Sequence, residues 1–244
     1  MYFEEYGSKN NPTIVFLHGA NFVHSFGRQY CLSDRFHILV PHLMGYGKET
    51  GRNFDAETCT EELIEFIKGL DRKVLLIGFS LGSQLAYSIV SRAYQYLNGA
   101  ILISPWLIKE EPLLSKIMAE NEKQFKGFKK KWLCRFIGMM NGLPKKENAE
   151  FVEQMQRVTI ETLRNSVDNG ITLNSEEGFK DADIPILALC GGKEPVVVAD
   201  SIKALAAMNK NCTYEVWDKA AHNIPPLFYK KLNEIIINYN KEQK

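Results

Sequence analysis

The segment 78–82, which reads Gly-Phe-Ser-Leu-Gly, constrains the fold of this chain more than any other stretch. It directly follows an apolar run, 74–77, and precedes a stretch with helical spacing, 84–96. A strand that turns sharply into a helix, with Ser80 at the tip, is the context in which G-x-S-x-G marks a nucleophile elbow. Side chains two positions either side of the serine would clash in such a turn, and two glycines remove that clash. The alternative is an ordinary glycine-rich turn of a parallel sheet.

The composition predicts a globular protein of one or two domains. The chain has 244 residues, 45% of them hydrophobic, and a formal net charge of +1. No overall field therefore selects nucleic acid or an anionic membrane, and no apolar run approaches the roughly 20 residues of a membrane helix. We accordingly predict neither partner, and leave the oligomeric state open.

Five cysteines and an acidic N-terminus bear on the compartment. The cysteine count is odd and no C-x-x-C pair occurs, which is typical of reduced thiols. The first residues carry two glutamates and no apolar stretch, so they do not resemble a signal peptide. These features predict a cytoplasmic protein.

The hydrophobic pattern alternates between strands and helices along most of the chain. Apolar runs predict buried strands, after an edge strand at 2–6, at 13–17, 36–40, 74–77, 100–104, 185–190 and 213–217. Helical spacing fills most of the gaps. The fold class is therefore α/β, a mostly parallel central sheet flanked by helices. We expect a core at 1–105 and 181–244, in which the sheet lies.

The alternation stops between 106 and 180, where we predict a helical insertion. Its segment 125–132 mixes aromatic and basic residues, as some nucleic-acid surfaces do. One helix face would carry Phe125, Phe128, Trp132, Phe136 and Met140 at helical spacing. We therefore predict a helix that buries its aromatic residues and exposes its lysines to solvent.

A serine hydroxyl is a weak nucleophile, so it requires a base, and the base requires an acid to orient it. His222 lies in the loop after the last predicted strand, from which an imidazole can reach Ser80. Glu194 directly follows the strand before that one, and precedes His222 by 28 positions. Asp218 is the main competitor for the acid, and Asp200 a weaker one. The chain order serine, acid, histidine matches the α/β-hydrolase arrangement.

Several further motifs extend this match, and over nearly its whole length the chain resembles the α/β-hydrolase superfamily. They are Leu17-His18-Gly19-Ala20, the pattern Pro41-x-x-x-Gly45-x-Gly47, the segment 191–195 and Ala221-His222-Asn223. The resemblance implies an oxyanion hole formed by the backbone amides of Leu81 and Ala20, with Asn21 as the next possibility. It also implies that 106–180 is a cap domain over the pocket, and that His18 supports the oxyanion loop.

Two positions depart from the pattern of that superfamily. Glu194 stands where aspartate is usual, and is longer by one methylene. Glutamate can orient an imidazole equally, since both forms of triad occur. His42 stands where aspartate usually follows the proline, and we interpret it as structural.

These observations favour a serine hydrolase that acts on carboxylic esters or related small acyl substrates, through Ser80, His222 and Glu194 and an acyl-enzyme. We expect a small-molecule substrate, an apolar ester, and no cofactor or metal. Two alternatives remain open on the same fold. One is carbon–carbon bond hydrolysis or lyase-type chemistry, and the other is a non-catalytic ligand-binding protein.

Overall fold

The computed structural model describes residues 1–241. Seven strands form one sheet in the spatial order β1-β3-β2-β4-β5-β6-β7. They are β1 (Phe3–Tyr6), β2 (Thr13–Leu17), β3 (His37–Pro41), β4 (Val74–Phe79), β5 (Leu97–Ile103), β6 (Ile186–Gly191) and β7 (Cys212–Trp217). The edge strand β1 pairs with β3 in antiparallel register, and the other pairings are parallel. The predicted fold class is thus confirmed.

Helices cover both faces of the sheet. They are α1 (Ala56–Lys68), α2 (Leu81–Ala93), α3 (Leu113–Phe128), α4 (Lys131–Met140), α5 (Lys145–Met155), α6 (Ile160–Val167), α7 (Val196–Met208), α8 (Ile224–Leu227) and α9 (Tyr229–Lys241). Short 3₁₀ turns occupy some of the connections, among them Tyr30–Asp34. The Asp55 side chain caps α1, where its Oδ1 accepts from the Thr58 amide at 2.9 Å.

The central strands are buried on both faces, which explains their continuous apolar runs. All five residues of β2 are buried. Val15 and Leu17 pack on the side of α1, α2 and α7, whereas Ile14 and Phe16 pack on the side of α9. Strand side chains alternate between the two faces, so each needs an apolar cover.

The chain between β5 and β6 contains α3 to α6 and no strand among the residues described there. The prediction of one helix with a buried aromatic face is wrong, because residues 125–140 form parts of two helices, α3 and α4, with a break between them. At the break, the Lys129 Nζ donates to the carbonyls of Met155, Gln156 and Val158 at 2.7–3.1 Å. Phe128 is therefore buried, whereas Trp132 and Phe136 are exposed.

No helix in the part of the chain described here is both long enough and apolar enough to cross a bilayer.

Candidate active site

Ser80 lies at the tip of a sharp turn between β4 and α2. Its backbone adopts φ 54° and ψ −117°, a conformation rare for residues with a side chain. A Cβ on Gly78 would lie 2.3 Å from the Gly82 carbonyl oxygen. A Cβ on Gly82 would lie 2.1 Å from the Leu17 carbonyl oxygen. Both glycines are thus required by close backbone approach, and the turn projects Ser80 at the carboxyl edge of the sheet.

A hydrogen-bonded chain links Ser80, His222 and Glu194. The distance from His222 Nε2 to Ser80 Oγ is 3.0 Å, and that from His222 Nδ1 to Glu194 Oε2 is 2.6 Å. An ionised carboxylate can only accept, so Nδ1 carries the imidazole proton. Nε2 of the neutral ring is then an acceptor, and the Ser80 hydroxyl donates to it. The structure therefore brings together three residues that lie up to 142 positions apart.

The Glu194 side chain is buried, and its second oxygen is also occupied. Oε1 accepts from the Ser104 hydroxyl at 2.6 Å and from the Gly191 amide at 2.8 Å. Burial alone would raise the pKa of this carboxyl. The hydrogen bond and charge of His222, with the bonds from Ser104 and Gly191, outweigh it and hold the pKa of Glu194 below its usual value. Glu194 is thus kept ionised and fixed in position.

Sequence reasoning missed Ser104. It directly follows β5, and its backbone has φ 53°. Its position at the carboxyl end of a central strand was the available signal, because residues there gather at one edge of the sheet. A serine that orients a carboxylate has no motif of its own, so its role emerges only from the contact.

The competing acid, Asp218, is in an exposed turn after β7. Among the described residues, His222 Nδ1 pairs with Glu194 and has no hydrogen bond to Asp218. The longer side chain of Glu194 fits at the end of β6, where the backbone amide of Gly191 donates to its carboxylate.

His18 is held as a neutral ring. The Leu43 amide donates to its Nε2 at 3.1 Å, so the ring proton is on Nδ1, which donates to the Gly19 carbonyl at 2.8 Å. Its complete burial lowers its pKa to about 3. With both nitrogens engaged, His18 connects the loop after β2 to the loop after β3.

The loop after β2 and the start of α2 carry backbone amides beside Ser80. Within residues 1–241, the amides of Ala20 and Leu81 donate to no protein acceptor, and both residues line the cavity at Ser80. The next residue, Asn21, has φ 69°, and its side-chain oxygen is buried without a partner.

A cavity of about 520 Å³ opens beside Ser80. Its apolar lining comes from the loop after β2, from residues between β5 and β6 and from α7, and includes Phe22, Trp106, Ile117, Phe128, Leu163 and Val198. Neutral amide side chains interrupt this lining at Asn21, Gln84, Asn121, Gln124, Asn141 and Asn223. Among the described lining residues, Lys193 and Glu194 are the formally charged ones. The cavity therefore suits a small neutral ligand.

One group of side chains in the described chain has the composition of a metal site, and it is separate from Ser80. Ligand atoms of Glu4, His24 and Glu150 lie within 4.8 Å of one another. His24 Nε2 is 2.8 Å from Glu150 Oε2, and its Nδ1 is 3.1 Å from the Tyr30 hydroxyl. These contacts satisfy the group as a hydrogen-bonded cluster.

The sheet order, with its antiparallel first strand, and a Ser-His-Glu chain at the carboxyl edge define a protein of the hydrolase class. A sequence model of the alpha/beta hydrolase family matches residues 14–233, and the chain belongs to this family. No curated protein matches the sequence significantly.

Several solved structures share the fold. A carboxylesterase of the thaumarchaeon Nitrososphaera gargenis has a TM-score of 0.76 at 15% identity, with 99% of this chain and 94% of that one covered. A thermophilic esterase from Thermogutta terrifontis has a TM-score of 0.72 at 18% identity, with coverages of 99% and 93%. The epoxide hydrolase of Bacillus megaterium has a TM-score of 0.79 at 17% identity, with coverages of 98% and 96%. Identities this low establish the shared fold alone.

Proposed function

We propose that this protein is a serine hydrolase that cleaves small, neutral carboxylic esters or related acyl compounds. The observation that carries the proposal is the continuous hydrogen-bonded chain from the Ser80 hydroxyl through His222 to the buried Glu194 carboxylate. A hydroxyl that donates to an imidazole whose other nitrogen is fixed by a carboxylate has the arrangement of an activated nucleophile.

The reaction follows from these contacts. Ser80 Oγ attacks the acyl carbonyl while His222 Nε2 takes the hydroxyl proton. The tetrahedral intermediate collapses, its bond to the leaving alkoxide breaks, and His222 gives the proton to that alkoxide. Water then attacks the acyl-enzyme by the same route, which releases the carboxylic acid and regenerates Ser80. Glu194 stays ionised and stabilises the charged imidazole.

The free amides of Ala20 and Leu81 would bind the oxygen that becomes negative in each tetrahedral intermediate. Leu81 is the first residue of α2, where helix amides have no internal acceptor and the helix dipole is positive. Donors held in this way can contribute about 10²–10³-fold each to kcat. Asn21, the next residue along the loop, is the alternative donor to Ala20.

The segment 106–180 would act as a cap that shapes the acyl site. Three of its side chains, Trp106, Phe128 and Leu163, line the cavity next to Ser80. A volume of about 520 Å³ is within the range of small-molecule pockets. Apolar and neutral amide side chains make up most of this lining, with Lys193 and Glu194 as the formally charged groups among the described lining residues, and this composition favours an uncharged substrate.

The test combines a fluorophosphonate probe with a panel of p-nitrophenyl esters of increasing acyl length. We expect the wild-type protein to be labelled and to hydrolyse short and medium esters, and Ser80→Ala to lose both. Labelling and turnover that persist in Ser80→Ala would overturn the mechanism. Labelling without turnover of any ester would overturn the substrate class and move the chemistry to another acyl bond, including a carbon–carbon bond. A wild-type protein that is neither labelled nor active would overturn the assignment as an enzyme.

A further inference from the structure

The charge of this chain is strongly segregated. Positions 123–146 contain eight lysines and arginines and no aspartate or glutamate. The whole chain has 30 basic and 29 acidic residues, so the remainder has 22 and 29, a net charge of −7. The near-neutral total charge of the chain therefore includes one basic segment, and the remaining residues carry a net negative charge.

Helix α4 lies within this basic segment, and it carries apolar side chains on its solvent side as well as on its buried side. One side, with Cys134 and Gly138, is buried against α5. A Cβ on Gly138 would lie 2.2 Å from the Asn148 Oδ1 atom. The opposite side is apolar and faces solvent. This surface, which we call the α4 face, consists of Trp132 (72% exposed), Phe136 (51%), Met139 (58%) and Met140 (64%).

The α4 face is a continuous stripe. At about 100° per residue its four side chains fall within an arc of about 100°. Eleven large apolar side chains are exposed among the described residues, and four of them are on this ten-residue helix. Exposed apolar patches of this kind mark interaction sites.

Basic side chains flank the α4 face. Lys130, Lys131 and Arg135 are exposed, and none of the three forms an ion pair within residues 1–241. Lys129, in contrast, is already bound to three backbone carbonyls. Three free cations therefore border an apolar stripe that carries no acid.

We propose that the α4 face docks on the surface of an anionic lipid bilayer. Tryptophan settles at the boundary between headgroups and acyl chains, and Phe136 and the two methionines would enter the acyl boundary. Lys130, Lys131 and Arg135 would pair with lipid phosphates at the headgroup level. The helix thus offers both signals that reversible membrane binding requires, apolar area and positive charge.

Two other occupants fit less well. In a symmetric dimer through this surface, the three unpaired cations of each copy would enter one interface to which the α4 face brings no acid, and they would repel. Nucleic acid would use the lysines and Trp132, but Met139 and Met140 have no ring on which a base can stack. An anionic bilayer offers acyl chains to the apolar side chains of the α4 face and phosphates to its basic neighbours.

This proposal departs from the sequence-based prediction of no membrane partner. That prediction used the length of apolar runs and the total charge. Neither quantity detects a ten-residue helix that exposes its apolar side, nor a basic segment balanced by acids elsewhere.

The α4 face borders the cavity beside Ser80. Ile137 and Asn141, at the end of the same helix, line that cavity. A shallower groove between α3 and α4 shares Gln124 and Ile137 with it. If the proposed function holds, docking would bring the cavity to the phase in which apolar esters accumulate, although the docking itself does not depend on that function.

Vesicle co-sedimentation tests the proposal, with phosphatidylcholine vesicles prepared with and without phosphatidylglycerol. We expect binding to the anionic vesicles only, a blue shift of tryptophan fluorescence that is absent in Trp132→Phe, and weaker binding as salt is added. The variant Lys130→Glu/Lys131→Glu/Arg135→Glu should bind at least about 100-fold more weakly. Trp132→Ala/Phe136→Ala should lose at least 10-fold in affinity.

A matched control reverses three exposed lysines outside the segment, Lys73→Glu/Lys180→Glu/Lys210→Glu, and should retain binding. Ser80→Ala should also bind as the wild type does, which separates failure of docking from failure of the proposed chemistry. The proposal is overturned if the folded wild type ignores anionic vesicles, or if it binds both vesicle types equally. It is also overturned if the α4 variants instead abolish a dimer or the binding of single-stranded DNA while vesicle binding is absent.

Discussion

Ser80 illustrates how one residue acquires a conformation that its neighbours must support. Its positive φ is unfavourable for a residue with a Cβ, by about 1–3 kcal/mol. The turn is held because the Ser80 amide donates to the Ile103 carbonyl at 2.9 Å, and because both flanking glycines allow close backbone contact. The sheet and α2 therefore fix the hydroxyl where His222 can reach it.

At the same scale, replacement of Glu194 tests the identity of the acid. Glu194→Gln should reduce kcat by about 10³-fold or more, because an amide can donate to Nδ1 and hold the ring in the tautomer that cannot accept the serine proton. Asp218→Asn, the matched control on an exposed turn, should stay within about twofold of wild type. The measurement is kcat on a p-nitrophenyl ester, with thermal unfolding to show that both variants are folded. The opposite ranking would assign the acid to Asp218.

At the scale of elements, the Glu4 carboxylate joins the edge strand β1 to the loop after β3. The His42 Nε2–H donates to Glu4 Oε1 at 3.3 Å, because its Nδ1 already accepts from the Lys48 amide at 2.9 Å. The Tyr6 hydroxyl donates to Glu4 Oε2. Burial opposes ionisation, but the hydrogen bonds from His42 and Tyr6 and the nearby histidines outweigh it and lower the pKa of Glu4 to about 2.

Glu4→Gln should therefore lower the free energy of unfolding at neutral pH by about 1–2 kcal/mol, a value that allows for partial solvent screening. The folded pKa is below the ordinary one, so this stabilisation is complete above the ordinary pKa of about 4.5 and is lost as the pH falls towards 2. Urea titrations at about pH 7 and pH 3 should show a clearly larger difference from wild type at the higher pH than at the lower, where the loss of the stabilisation is only partial. Glu61→Gln, on the exposed side of α1, should show no difference at either. If Glu4→Gln lowered the free energy of unfolding by the same amount at both pH values, the role of the Glu4 charge would be contradicted.

The elements also show where sequence reasoning is reliable. Buried parallel strands such as β2 can be predicted from the sequence because both of their faces need apolar cover. The apolar run 13–17 is therefore continuous. The break between α3 and α4 was not predicted, because it depends on Lys129 reaching carbonyls of α5 and beyond, about 26–29 positions away. The role of Ser104 was missed for the same reason. The local hydrophobic pattern of the sequence identifies the strands, the helices and the motif residues. Contacts between distant parts of the chain decide which other side chains orient those motif residues.

At the scale of the whole molecule, the segment 106–180 and the sheet share one apolar core. Phe151 of α5 belongs to the same buried cluster as Leu17 of β2 and Leu39 of β3. Its ring stacks on Phe22, in the loop after β2, with centroids 4.6 Å apart and an angle of 12° between the planes. The proposed cap is thus joined to the loop that carries Ala20 by an aromatic contact between the buried Phe151 and the partly buried Phe22.

Because of this shared core, we expect the insertion and the sheet to unfold together. Phe151→Ala should lower the free energy of unfolding by about 3–4 kcal/mol, since it removes a buried ring and leaves a cavity. Phe136→Ala, the same substitution at an exposed position of α4, should change it by no more than about 0.5 kcal/mol.

Two spectroscopic signals measure whether the segment 106–180 unfolds with the sheet. Far-ultraviolet circular dichroism reports the whole fold, and tryptophan fluorescence includes Trp106 and Trp132 of that segment. The two signals should give coincident transitions in the wild type and in both variants. If fluorescence instead changed first in Phe151→Ala, in a separate earlier transition, the insertion would be an independent unit, and the stack of Phe22 on Phe151 would not couple the proposed cap to the sheet.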